Sequence, residues 1–145
     1  MASADFSSIK RLVKRCVSAR KQIQAAYVFG SVARGRARPD SDIDIAVLVD
    51  GHVRPSRFLE YRLELMADLG SALKRFNVDV VVLNEATPLL AHRVLSQGEL
   101  VFERSASARI RFQVQTAGRY LDLAPTLETH IRYLKKHVRE GRVIG

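Results

Sequence analysis

Apolar positions along the chain follow two alternating periods. Phe6, Ile9, Leu12, Val13, Cys16, Val17 and Ile23 recur near helical spacing, with Lys10, Arg11, Lys14, Arg15 and Lys21 mostly on the other side. This predicts an amphipathic helix over residues 6–23, capped by Asp5 or Ser7. Residues 25–29 form a short β-prone run stopped by Gly30, and a loop rich in Gly, Arg, Pro, Asp and Ser follows from 31 to 41. Residues 43–49 (IDIAVLV) are apolar and β-branched and read as a buried strand. A second helix is predicted over 58–76, with Leu59, Leu63, Met66, Leu69, Leu73 and Phe76 as its apolar stripe. Residues 78–83 (VDVVVL) read as a third strand. Pro88 opens a short helix over 89–96 that Gly98 suits as a C-terminal cap, and 100–102 reads as a small edge strand. Ile110, Val114, Ala117 and Leu121 line up on a further helix. Pro125 is expected to break it, leaving Leu127, Ile131, Leu134 and Val138 to mark a last one.

Helices alternating with short strands predict an α/β (α+β) fold, a small sheet flanked by helices. A length of 145 residues suits a single domain, with a core over about 6–104 and a helical extension over 105–145. At 47% hydrophobic and 27% charged residues the composition is that of a globular protein. The single cysteine, Cys16, excludes an internal disulfide framework and reads as a small core residue. No apolar stretch approaches a membrane span and the N-terminus lacks a signal-peptide pattern, so the expected location is the cytoplasm and no membrane partner is expected.

Charge adds an asymmetry. The net charge of +9 is concentrated in residues 1–40 and 101–145, whereas 41–100 is net acidic. An acidic middle suits a cation, and the basic ends offer surface to an anion. The chemistry-bearing stretch lies where these regimes meet, GSVARGRARPDSDIDIAV over 30–47. Asp42 and Asp44 are two apart at the mouth of a predicted strand, so their side chains share a face about 7 Å apart along it. Hard oxygen ligands without a nearby histidine favour Mg²⁺ over zinc. Asp79, costly within a run of valines, brings a third carboxylate if its strand neighbours the first pair. Three convergent acids suit a two-metal phosphoryl-transfer site. Gly30 permits close backbone approach to a ligand, Ser31 adds a hydroxyl, and Arg34, Arg36 and Arg38 add positive charge.

A Gly-Ser turn, a DxD pair and a third acid on a later strand resemble the nucleotidyltransferase superfamily that includes DNA polymerase β. The stretch GSVARGRARPDSDID is similar to its minimal nucleotidyltransferase branch. The run NVDVVVLNEATPLLAHRVLSQGELVFER, continuing into RIRFQVQTAGRYLDL, resembles the MntA-type antitoxins of type VII toxin–antitoxin pairs. The resemblance covers most of 20–123. It implies a polymerase β-like fold with a short mixed sheet. It also implies that Asp42, Asp44 and Asp79 are the catalytic and metal-binding acids, with two Mg²⁺ ions and ATP as co-substrate. Gly30 and Ser31, with Arg34 and Ser41, would hold the nucleotide phosphates. The implied activity is transfer of AMP from ATP to a tyrosine of a cognate HEPN-domain ribonuclease toxin, which silences it.

Two rivals follow from the same residues. A transferase acting on a small, aminoglycoside-like molecule would need a substrate-binding helical domain, for which the chain after Leu100 is short. An antitoxin that acts by binding alone would depend on the basic ends rather than on the acids. Nucleic acid is not the favoured partner, because no aromatic-rich basic stripe is present. His52 and His92 read as surface or capping residues, Tyr27 as packing, and Arg132 with His137 as a basic terminal helix face.

Overall fold

The computed structural model describes residues 5–33, 35, 42–74 and 77–139. Four strands form one mixed sheet, β1 (Ile23–Phe29), β2 (Ile43–Val49), β3 (Val78–Val82) and β4 (Glu99–Glu103), in the spatial order β3-β2-β1-β4. β1 runs antiparallel to both β2 and β4, whereas β2 and β3 are parallel. The parallel pair is joined by a helix, as parallel strands require. The helices are α1 (Phe6–Ser18), α2 (Phe58–Leu73), α3 (Pro88–Gln97) and α4 (Ala106–Arg139).

Alternation along β2 divides the interior in two. Ile43, Ile45, Val47 and Val49 point to one face, where Ile9, Val13 and Val17 of α1 and Leu65 and Leu69 of α2 cover them. Ala46 and Leu48 point to the other, where Tyr27 and the α3 residues Ala91 and Val94 pack. Asp42 and Asp44 share the parity of Ala46 and Leu48, so they belong to the α3 side. In β3, Val78, Val80 and Val82 face α1 and α2, which turns Asp79 to that same α3 side.

The first helix ends sooner than its spacing predicts. Asp5 is its cap, its carboxylate accepting the Ser8 amide at 2.7 Å. After Ser18 the chain turns through Arg20, whose carbonyl accepts the Ile23 amide at 3.1 Å, so Ile23 begins β1 instead of ending α1. Cys16 is half-buried against the core, and burial pushes its thiol pKa up. Arg20 reaches α2, pairing with Glu64 at 2.7 Å and Asp68 at 2.6 Å.

The stripe expected on α2 is rotated. Leu59 and Leu63 are exposed, and the buried line is Phe58, Tyr61, Leu65, Leu69 and Leu73. Both lines have helical spacing. The one with two aromatic rings removes more apolar area from water and so takes the inner face. Arg62, beside that line, donates from Nε to the Val80 carbonyl at 2.9 Å and so ties α2 to β3. The helix closes at Lys74 in a left-handed conformation, φ 54°; Phe76 lies outside the described residues. Leu83, expected at the end of β3, instead opens a short 3-10 turn over Leu83–Glu85.

Pro125 does not break the last helix. Residues Ala106–Arg139 form one helix of 34 residues with the proline inside it. A proline removes one rung of the ladder and the rungs before and after it persist. The expected stripe Ile110, Val114 and Leu121 is exposed. The side of α4 that meets the body carries Phe112, which packs beneath it, buried Thr116, and Tyr120. From Glu128 to Arg139 almost every residue faces water.

Leu65 is fully buried and Leu63 is 56% exposed. Leu65→Ala is expected to cost about 2–5 kcal/mol of unfolding free energy. Leu63→Ala should stay within about 0.5 kcal/mol of the parent. Urea denaturation of the two variants measures both.

Candidate active site

The candidate site forms where the starts of β2 and β3 meet the end of β1. Asp44 is paired in register with Asp79 on the adjacent parallel strand and with Phe29 on the antiparallel one. The sheet thus places two carboxylates side by side on one face, with Asp42 just ahead of the strand. Burial pushes the Asp44 carboxyl above its usual range, and the negative charges of Asp79 and Asp42 push it the same way.

Gly30 turns the chain back over this cluster with φ 78°, in the left-handed region. A Cβ at this position would overlap the Asp44 carboxylate oxygen Oδ2. The glycine therefore does two things: it makes the turn, and it lets backbone lie directly against the acid. Ser31 follows at the rim. Phe29, Gly30, Ser31, Asp42 and Asp44 line one wall of a cleft of about 660 Å³. Arg93 and Gln97 of α3 complete the lining.

The structure brings together Asp42, Asp44, Gly30 and Ser31 in this cleft. Asp79 flanks Asp44 from β3 but does not line the cleft itself. Among the described residues no three acidic, cysteine or histidine side chains form a closed metal cage. The donor set is nonetheless all carboxylate oxygen and crowded, which fits a hard divalent cation better than any soft metal. Arg34 and Ser41, the other expected phosphate contacts, and Arg36 and Arg38 lie outside the described residues.

Sequence reasoning missed Arg93 and Gln97. They are one helical turn apart and so share a face of α3, but nothing in the spacing tells which way that face points. His92 is no capping residue: its ring stacks on Tyr120 of α4 at 3.6 Å and 8°. Tyr27 is buried packing, as expected, and burial raises its hydroxyl pKa. A second groove of about 600 Å³ opens at the other end of β1 and β2, near Gln24, Asn84 and Arg111. Its single acid, Asp50, is already bonded to the His52 amide and ring, so it lacks the paired carboxylates of the first cleft.

The nucleotidyltransferase domain of polymerase beta, as a family model, matches residues 11–107. The chain belongs to that family. It is 34% identical over 102 residues to the protein adenylyltransferase MntA of Shewanella oneidensis, a match covering 70% of this chain and 69% of the relative. A chain of a toxin–antitoxin crystal structure with AMP-PNP superposes with a TM-score of 0.72 at 28% identity, covering 87% of this chain and 98% of that one. The complex of a tri-AMPylated Shewanella oneidensis HEPN toxin with its MNT antitoxin gives 0.68 at 26% identity, covering 90% and 98%. Among the described residues no helix is long and apolar enough to cross a membrane.

Two predictions follow from the geometry. Gly30→Ala places a methyl group on the Asp44 carboxylate and forces a strained φ, so it should displace that acid and abolish nucleotide turnover while the far-UV circular dichroism stays that of the parent. For Asp44, the folded pKa lies above the unfolded one. Its favourable contribution is therefore present when the group is protonated and lost as pH rises through the raised folded value. Asp44→Asn removes that loss, and without Mg²⁺ near neutral pH the variant should melt higher than the parent by calorimetry. The gap should close at pH values below the ordinary carboxylate range.

Proposed function

We propose that this chain is an antitoxin that acts as a protein adenylyltransferase, moving AMP from ATP to a tyrosine of a cognate HEPN-domain toxin in the cytoplasm. The observation that carries this reading is the in-register pair Asp44 and Asp79, with the Gly30 turn seated on Asp44. Family membership supports the reaction class, and the adenylyltransferase relative and the AMPylated toxin complex support the protein substrate. Asp42, Asp44 and Asp79 would hold Mg²⁺, two ions in this reading. When bound, Mg²⁺ supplies charge neutralisation for the triphosphate and the departing oxygens.

The chain's own residues supply position. Gly30 and Ser31, together with Arg34 and Ser41, grip the phosphates so that the α-phosphorus faces the acids. The tyrosine hydroxyl oxygen forms a bond to that phosphorus, and the bond to the β-phosphate bridging oxygen breaks, releasing pyrophosphate. The hydroxyl proton passes to Asp79. No covalent enzyme intermediate is needed, and the gain comes from orientation and electrostatics.

The test is transfer from labelled ATP in the presence of Mg²⁺ and a cognate HEPN-domain toxin. The parent should label the toxin and silence its ribonuclease activity. Asp42→Asn and Asp44→Asn should each lower labelling by about 100-fold or more. Silencing without label, retained in the Asp42→Asn and Asp44→Asn double variant, would replace this reading with an antitoxin that works by binding alone.

A further inference from the structure

Helix α3 is fixed on every side but one. Thr87 caps its start, its hydroxyl accepting the Leu90 amide at 3.2 Å, and Pro88 occupies the first turn. Ala91 and Val94 are buried against the sheet. The Gly98 amide closes the C-terminus on the Val94 carbonyl at 2.8 Å, and a side chain at Gly98 would strike that carbonyl as well as Phe29 and the Val28 carbonyl. His92 stacks on Tyr120. The remaining face carries Arg93 and Gln97, and it lines the cleft that holds Asp42 and Asp44.

Arg93 is the one cation among the described residues that line this cleft. Its guanidinium makes no hydrogen bond or ion pair with any described residue, whereas Arg20, Arg57, Arg62 and Arg104 are engaged with carboxylates or carbonyls. An exposed arginine beside a cluster of acids would ordinarily neutralise them. Here Arg93 lines the same cleft without pairing with any of them, so the acids remain available to cations and the guanidinium to an anion. An anion that suits both has an end that prefers hard cations and an end that prefers a planar, bidentate donor. A polyphosphate has both.

We propose that Arg93 binds the β- and γ-phosphates of the nucleotide and, with Gln97 beside it, receives the pyrophosphate as it leaves. This rests on the nucleotidyltransferase reading of the cleft. With the α-phosphate placed at the acids, the terminal phosphates extend toward α3. Negative charge grows on the leaving pyrophosphate as the bond breaks, and a preorganised cation there lowers the barrier as well as holding the substrate. Arg93 thus answers a need that the acids cannot meet.

The experiment compares AMP-PNP with AMP. Binding of each to the full chain in Mg²⁺ is measured by calorimetry for the parent, Arg93→Gln and Arg93→Lys. Arg93→Gln should weaken AMP-PNP about 10- to 100-fold and leave AMP unchanged, since AMP lacks the phosphates in question. Arg93→Lys should recover part of the loss, as a point charge without the fork. Because the side chain is exposed, both variants should melt with the parent. Equal weakening of AMP-PNP and AMP, or no weakening of either, overturns the assignment. A parent that binds AMP-PNP with this dependence on Arg93 but transfers nothing would sink the transferase reading alone. A parent that binds no AMP-PNP would sink both.

Discussion

Like charges resist being brought together, and the fold of this chain is arranged to overcome that at one place. β2 and β3 are parallel and in register, so Asp44 and Asp79 are adjacent whether or not anything neutralises them. Burial raises the Asp44 pKa most, and the charges of Asp79 and Asp42 push it the same way. The pairing holds because the residues around the acids are nearly all apolar and packed: Ile43, Ile45, Val47, Val78, Val80 and Val82 on one face, Ala46 and Leu48 on the other. The hydrophobic gain of that packing offsets the electrostatic cost. A slip of one residue between the strands would turn one acid to the opposite face of the sheet.

The same principle explains which parts of the molecule were readable in advance. Asp42 and Asp44 stood out because their spacing sets them on one face of a strand beside Gly30-Ser31, and Asp79 because aspartate in a run of valines contradicts local preference. Gly30 stood out as a glycine ending a strand. The register of β2 with β3 was only a condition in that argument; strand neighbourhood is set by tertiary packing, which no local pattern encodes. The rotation of α2 was illegible for a related reason. Leu59–Leu63 and Leu65–Leu69 are equivalent by spacing, and the choice between them depends on Phe58 and Tyr61 finding pockets elsewhere in the fold. Pro125 misled in the opposite sense: a strong local signal for a break was outweighed by continuous helix on both sides. Arg93 and Gln97 carried no local signal, because their role comes from where α3 is laid down.

Most long-range polar contacts are used to set the placement of whole elements. Arg62 joins α2 to β3, and Asn84 pairs with both the amide and the carbonyl of Val49 like a single residue of a neighbouring strand. The Arg104 guanidinium bonds the carbonyls of Ser18, Arg20 and Ile23, fastening the end of β4 to the turn between α1 and β1. Each satisfies carbonyl or amide groups at the ends of regular structure or, for Val80, on an edge strand. The candidate site thus needs few polar contacts of its own, since the strands and α3 that bear it are already fixed.

The overlap between residue 30 and the Asp44 carboxylate also bears on how this gene can drift. Every first- or second-base change in a glycine codon yields either a stop or an amino acid with a Cβ, and that atom is the one for which there is no room. Third-base changes are silent. The position therefore has no tolerated protein-level neighbour reachable by a single mutation, and a lineage that uses this acid keeps its glycine by geometry alone.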